Sequence, residues 1–460
     1  MVLERILETK RVEVHRAKSA RAFSLLIDGL ARSQRNFEGA LRGGRTRFIL
    51  ECKRRSPSEG EIRKDYDPAA IARAVTPFAD VISVLTDGPF FGGSLEDLRR
   101  AREATERPIL RKDFILEPYQ VVEARVSGAD AVLLMLSVLD DRAWRDCMRT
   151  ARELGMGALT EIHSEDELAR AVALGATVIG INSRNLRTLE VDLGVIGRLA
   201  PLVPKNAVLV AESGIQGHGD IVALRGNVDA FLVGTSLMRR PDLDAGAREI
   251  TFGTVKVCGL TRPEDARAAW ETGASWGGIV FAPGSPRRID ISQARAIRAA
   301  APLLWAGVFV DAPPGLIAEI ARDLRLDAVQ LHGEESPESV RALRGLLRDG
   351  CEIWKAIRVR HDVPRLAETA ADRLLLDAWR DGIPGGTGER FDWSIARCHP
   401  DRERIVLAGG LRPDNVLAAE AAGAGMLDVS SGVEESPGIK SRARLEQFFS
   451  VLRGTGRELR

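Results

Sequence analysis

The sequence predicts an α/β chain of two tandem (β/α)8 TIM barrels, the first with an N-terminal helical extension. Three observations predict it. Short apolar runs rich in Val, Ile and Leu alternate with amphipathic helical stretches, the pattern of parallel strands buried on both faces. The runs reach eight within about the first 240 residues, the arithmetic of one (β/α)8 barrel. The count then restarts and reaches eight again over about 200 residues.

In order, the chain opens on MVLERILETKRVEVHRAKSAR, where Leu3, Ile6, Val12 and Val14 predict an amphipathic helix over about residues 3–20. Acidic residues interrupt it and no continuous apolar stretch follows, so it does not read as a secretory signal. The first series of strands falls at residues 47–53, 81–86, 108–114, 131–136, 156–161, 178–182, 207–213 and 229–236. Between them, SLEDLRRAREAT and SEDELARAVALGA carry helical spacing, with Ser94 and Ser164 at the N-cap position and an acid three residues later. The second series falls at residues 254–259, 276–282, 303–310, 327–333, 352–357, 373–378, 404–410 and 426–432. The join lies near RRPDLDAGAREITFG, which reads as a helix running directly into a strand, and divides the chain into 1–252 and 253–460. A doubly wound sheet is the competing fold. It would want a G-x-G-x-x-G turn after an early strand, and neither half begins that way.

The 460 residues are 45% hydrophobic and 28% charged, with a net charge of +1, which excludes wholesale disorder and gives no footprint for nucleic acid or anionic lipid. No apolar run approaches the roughly 18 residues of a membrane span. Cys52, Cys147, Cys258, Cys351 and Cys398 are scattered, with no C-x-x-C pair, which fits a reducing, cytoplasmic setting and suggests no metal site. Six of the seven tryptophans lie in the second half, a skew with no functional reading from sequence.

Barrel chemistry belongs at the C-terminal ends of strands, so polar residues there are the candidates. Period-2 alternation puts Ile49, Glu51 and Lys53 on one face of the first strand. Lys112, Glu161, Asn182 with Arg184, and Glu212 close the third, fifth, sixth and seventh strands. Any one of these reads equally as a surface ion pair; five strands delivering them to one rim reads as a site. Arginine does nearly all the basic work in this chain, yet lysine stands at 53 and 112. Lysine, unlike arginine, loses its proton readily when its pKa is lowered, so the choice hints at proton transfer. Ser213, Gly214, Gly234, Thr235 and Ser236 follow strands seven and eight, the recurring phosphate position of this fold.

ECKRRSPSEG, VISVLTD, RKDFILEPYQ, ADAVLLMLSVLDD, LTEIH, GINSRNL, AESGI and VGTSLM cover all eight strands in order. Together they resemble indole-3-glycerol-phosphate synthase. That resemblance implies closure of the indole ring of 1-(2-carboxyphenylamino)-1-deoxyribulose 5-phosphate, with loss of carbon dioxide and water. It implies Lys112 as general acid at the ribulose carbonyl, Glu161 in proton transfer during dehydration and Glu51 in support. It implies Lys53, Ser56, Asn182 and Arg184 on the carboxylate and hydroxyls, and Glu212 on the sugar and amine. Ser213, Gly214, Gly234, Thr235 and Ser236 would take the phosphate, and the N-terminal helix would cap the substrate mouth. How acid and base duties divide among Lys53, Lys112, Glu51 and Glu161 stays open.

In the second half, alternation aims Lys256 and Cys258 inward, with Cys258 at the rim beside Gly259. A lone cysteine is often an inert small hydrophobe, so placement carries this reading. Asp377 ends a strand after three leucines, where an acid is costly unless solvated or functional. Glycine clusters stand at 385–388, 408–411 and 428–432. KVCGLTRPEDA, SPRRI, AVQLHG, LLLDAW, PGGTGERFDW, LAGGLRPDNV and DVSSGVEESPGIK resemble phosphoribosylanthranilate isomerase. That resemblance implies an Amadori rearrangement with Cys258 as general base, Asp377 as general acid and Arg287 on the anthranilate carboxylate. Gly386, Gly410, Ser430 and Ser431 would line the phosphate site. His332 reads equally as a structural histidine or a substrate contact.

The product of the second reaction is the substrate of the first, so the two resemblances support each other. The expectation is a monomeric cytoplasmic enzyme of tryptophan biosynthesis with two sites, phosphorylated small-molecule substrates and no cofactor. A different sugar-phosphate isomerase on this fold would not need Lys112, Glu161, Cys258 and Asp377 together. A binding protein with a dead barrel would not keep the acid and base positions of both halves filled.

Overall fold

The computed structural model describes residues 2–185, 188–359, 363–378 and 391–457. It has two compact units, one of Met1–Thr251 with Thr455–Arg460 and one of Phe252–Gly454. The Arg457 amide donates to the Val228 carbonyl at 3.0 Å, within the first unit.

The first unit is a closed barrel of β1 (Arg47–Cys52), β2 (Val81–Leu85), β3 (Ile109–Lys112), β4 (Ala131–Met135), β5 (Gly157–Ile162), β6 (Val178–Asn182), β7 (Val208–Glu212) and β8 (Ala230–Val233). Each strand pairs in parallel with the next, and β1 pairs with β8. Helix α1 (Val2–Ala20) precedes it, buries Leu3, Ile6 and Val14, and is the expected extension. Ser94 and Ser164 accept from the amides of Asp97 and Glu167 at 3.1 and 3.2 Å, as the N-cap spacing predicts.

Ile49, Val81, Leu110, Leu133, Leu159, Val178, Val210 and Leu232 fill the barrel interior. Ile49 therefore points inward, and β alternation carries Glu51 to the same side nearer the rim.

The second unit is a closed barrel of β9 (Val255–Cys258), β10 (Trp276–Val280), β11 (Leu304–Phe309), β12 (Ala328–Leu331), β13 (Glu352–Val359), β14 (Arg373–Ala378), β15 (Ile405–Leu407) and β16 (Met426–Val429). Its interior takes up two of the six second-half tryptophans. Trp276 and Trp354 lie 4.8 Å apart between ring centroids and share the core with Ala306, Ala328, Ala356 and Ala408. Two large indoles among four alanines fill a layer that branched aliphatics fill in the first barrel. Among the described residues, no helix is long and apolar enough to cross a membrane.

Candidate active sites

In the first barrel, strand geometry gathers the candidates at one end. A cavity there is lined by Glu51, Lys53, Ser56, Lys112, Glu161, Asn182 and Arg184, and also by Ser213, Gly214, Gly234 and Thr235. The Lys53 ammonium lies 2.9 Å from Glu51 Oε1 and donates to Thr235 Oγ1 at 3.2 Å. Lys112 Nζ reaches Glu212 Oε2 at 2.8 Å and Glu161 Oε2 at 3.3 Å. The Arg184 guanidinium donates to Ser58 Oγ and the Leu189 carbonyl, which ties the end of β6 to the loop after β1.

These groups shift one another. Burial alone would lower the Lys112 pKa, but Glu212 and Glu161 raise it above the ordinary lysine range. Burial would raise Glu161; Lys112, His163 and Asn182 outweigh it and hold that carboxyl down. Glu212 goes the other way, up to about 7, because burial and the neighbouring Glu161 and Glu51 charges outweigh Lys112. Oε2 of Glu51 and Oε1 of Glu212 are buried acceptors with no protein partner. Such an atom is costly unless something donates to it; Glu51 lines the cavity, whereas Glu212 is not among the lining residues and its Oε1 lies against Gly180.

Ser213 and Gly214 both adopt positive φ, 65° and 80°, which turns the chain sharply after β7. Gly234 precedes the short helix Thr235–Met238. Ser236 departs from expectation: its hydroxyl donates to the Ile215 carbonyl at 2.7 Å and is not among the cavity-lining groups. It ties the loops after β7 and β8 together. The sequence reading also missed the apolar wall of Leu3, Ile6, Phe91, Phe114, Leu133 and Leu232. Apolar residues in a barrel carry no signal that separates wall from core.

In the second barrel, Cys258 and Lys256 both face inward, as alternation requires, and Lys256 is fully buried. Its ammonium donates to Gln330 Oε1 at 2.7 Å and meets Asp428 Oδ2 at 2.8 Å. Burial pushes the Cys258 thiol up, opposed by Lys256 and Lys440. His332 Nε2 lies 3.4 Å from Asp377 Oδ2, and the other ring nitrogen meets Gln330 Nε2 at 3.0 Å. His332 thus lies beside Asp377. Asp428 was missed, although an acid closing β16 satisfies the same strand-end rule that found Asp377.

Arg287 does not stand free. Its Nε and Nη2 form a two-point pair with Glu434 at 2.8 and 2.7 Å, and Lys440 meets the same carboxylate at 2.7 Å. A positive φ of 75° at Gly259 leaves room for the Arg287 stem, which a Cβ there would meet at 2.4 Å. The Ser430 hydroxyl donates to the Cys258 carbonyl at 3.1 Å, and Ser431 opens the turn Ser431–Val433. Gly410, at φ 69°, offers its carbonyl to Asn415 Nδ2. Gly386 lies outside the described residues. Among the described residues, no group of three or more His, Cys, Asp or Glu could hold a metal ion.

The family model of indole-3-glycerol phosphate synthase matches residues 3–250, and that of N-(5'-phosphoribosyl)anthranilate isomerase matches residues 255–451. The tryptophan biosynthesis protein TrpCF of Yersinia pestis is 43% identical over 98% of this chain and 94% of its own length. The chain belongs to the TrpCF family. TrpCF proteins of Vibrio cholerae and Salmonella typhi are 45% and 44% identical, covering 98% of this chain and 96% and 99% of theirs. As a TrpCF protein the chain is a bifunctional enzyme of tryptophan biosynthesis, with the synthase in the first barrel and the isomerase in the second.

Proposed function

We propose that each rim described above is one active site, and that a phosphorylated intermediate passes from the second to the first. In the isomerase barrel, Cys258 takes the proton from C2 of the ring-opened ribosylanthranilate. Asp377, with His332 beside it, serves as the general acid that assists ring opening. Arg287, backed by Glu434, presents its remaining guanidinium nitrogen to the anthranilate carboxylate. The Gly386, Gly410, Ser430 and Ser431 loops take the phosphate. The Ser430 hydroxyl already donates to the Cys258 carbonyl, so Ser430 contributes through its backbone amide.

In the synthase barrel, the observation that carries the reading is a single ammonium on the wall of a cavity, held between two buried carboxylates. Lys112 stays protonated there and gives its proton to the ribulose oxygen as the ring carbon attacks. An alkoxide is a far stronger base than an amine, so even a raised lysine pKa permits the transfer. Glu161, held ionised by Lys112 and His163, accepts a proton in the later dehydration, with Glu51 in support. Lys53, Ser56, Asn182 and Arg184 hold the carboxylate and hydroxyls, and Glu212 holds the sugar and amine. Ser213, Gly214, Gly234, Thr235 and the Ser236 amide take the phosphate. The enzyme acts as a cytoplasmic monomer without a cofactor.

Purified protein supplied with phosphoribosylanthranilate tests this. Lys112→Ala accumulates the carboxyphenylamino intermediate, with ring closure slowed about 100-fold or more, while Cys258→Ser stops its formation to a similar degree. Given the carboxyphenylamino substrate directly, Cys258→Ser still closes the ring at the parental rate; if it does not, or if Lys112→Ala also stops isomerisation, the two-site assignment fails.

A further inference from the structure

Helix α1 lies outside the β/α count, yet Leu3 and Ile6 line the synthase cavity. One turn beyond Ile6 stands Lys10, whose side chain is only 4% exposed. Its ammonium meets three carboxylates: Glu13 Oε2 at 2.8 Å, Asp87 Oδ2 at 2.9 Å and Asp113 Oδ1 at 2.9 Å. Asp87 follows β2, and Asp113 follows Lys112 at the end of β3.

Both aspartates also hold cavity-wall backbone. Asp87 Oδ1 accepts from the Phe90 and Phe91 amides at 2.9 and 3.3 Å. Asp113 Oδ1 accepts from the Phe114 amide at 2.8 Å. Phe91 and Phe114 line the cavity and pack with ring centroids 6.2 Å apart. One buried ammonium therefore joins the helix that supplies Leu3 and Ile6 to the two loops that supply the phenylalanines. A compact ammonium with three rotatable donors suits three converging carboxylates. It is also a lysine in a chain that mostly uses arginine.

We propose that Lys10 is a positioning residue for ring closure: it sets the apolar wall of Leu3, Ile6, Phe91 and Phe114 that receives the aromatic ring of the substrate. This rests on the synthase reading of the first barrel. A buried ion cluster with no role beyond stability would loosen the whole cavity when broken. A positioning role confines the effect to the aromatic arm and spares the phosphate loops, which belong to β7 and β8.

The full-length chain separates these outcomes. Steady-state ring closure is measured with the carboxyphenylamino substrate, alongside competitive inhibition by inorganic phosphate. In Lys10→Met, KM rises about tenfold or more while the phosphate inhibition constant stays within about twofold of the parent. Asp87→Asn is the milder partner. Its side-chain carbonyl still accepts the phenylalanine amides but no longer offers Lys10 a charge, and it gives the same split at smaller size. It carries the test if Lys10→Met does not fold. An unchanged KM, or phosphate binding that weakens in step with KM, overturns the inference. A parent chain that closes no ring overturns the synthase reading instead.

Discussion

Lys112 has two acid neighbours, and they titrate in opposite directions. Glu212 is nearer, yet its carboxyl rises to about 7 while that of Glu161 falls. The reason is company: Glu161 has Asn182 and His163 besides the lysine, whereas Glu212 faces the charges of Glu161 and Glu51. Folding moves Glu212 from 4.5 to about 7, so the folded chain holds that proton more tightly than the unfolded chain does. This group therefore costs no stability below the ordinary carboxylate range, costs increasingly more as pH rises toward 7, and costs the full amount above it. Glu212→Gln removes that cost. At pH 8 we expect the first barrel to gain several degrees in Tm, with the gain shrinking as pH falls through 7 and vanishing below about pH 4. Synthase turnover falls by about 100-fold in the same variant. Thermal scans showing the gain at pH 5 and not at pH 8 would reverse the sign and sink the assignment.

At the scale of the element, each barrel uses a strand glycine to make room for chemistry next door. A Cβ at Gly180 in β6 would meet Glu212 Oε1 at 2.0 Å, and one at Gly278 in β10 would meet Cys258 Sγ at 2.7 Å. Neither glycine has positive φ, so conformational freedom is not the reason; the inward face of the strand has space for only one of the two side chains. Gly180→Ala should displace the Glu212 carboxylate and destabilise the first barrel by about 1–3 kcal/mol. Ring closure should slow about 10-fold or more, with isomerisation unchanged. The check is a pair of assays on one preparation; loss of both activities would point to general misfolding and against local displacement.

For the whole molecule, each set of reacting groups lies within one compact unit. The synthase groups belong to Met1–Thr251 and the isomerase groups to Phe252–Gly454. If the intermediate is a free solute, the two sites need not be on the same chain. An equal mixture of Lys112→Ala and Cys258→Ser chains should therefore convert phosphoribosylanthranilate to indoleglycerol phosphate. After a lag, the steady rate should be about half that of parent at the same total chain concentration. A mixture that accumulates intermediate without forming product would show that transfer within one chain is required.

The pattern of short apolar runs by itself determined the two barrels. Parallel strands must be buried on both faces, and eight such runs with helical spacers leave few other closures. Alternation likewise placed Ile49 and Glu51 on one face, and the strand-end rule found Lys112, Glu161, Glu212 and Asp377 without any contact map. Other features were decided only by tertiary structure, because they depend on partners distant in sequence. The Ser236 hydroxyl donates to the Ile215 carbonyl, and Glu434 occupies two of the Arg287 nitrogens. Lys10 meets Asp87 and Asp113 only through packing of the N-terminal helix on the barrel. Periodicity reports which side of an element is buried; which charge meets which depends on how the elements come together, and so do the pKa shifts that separate Glu161 from Glu212.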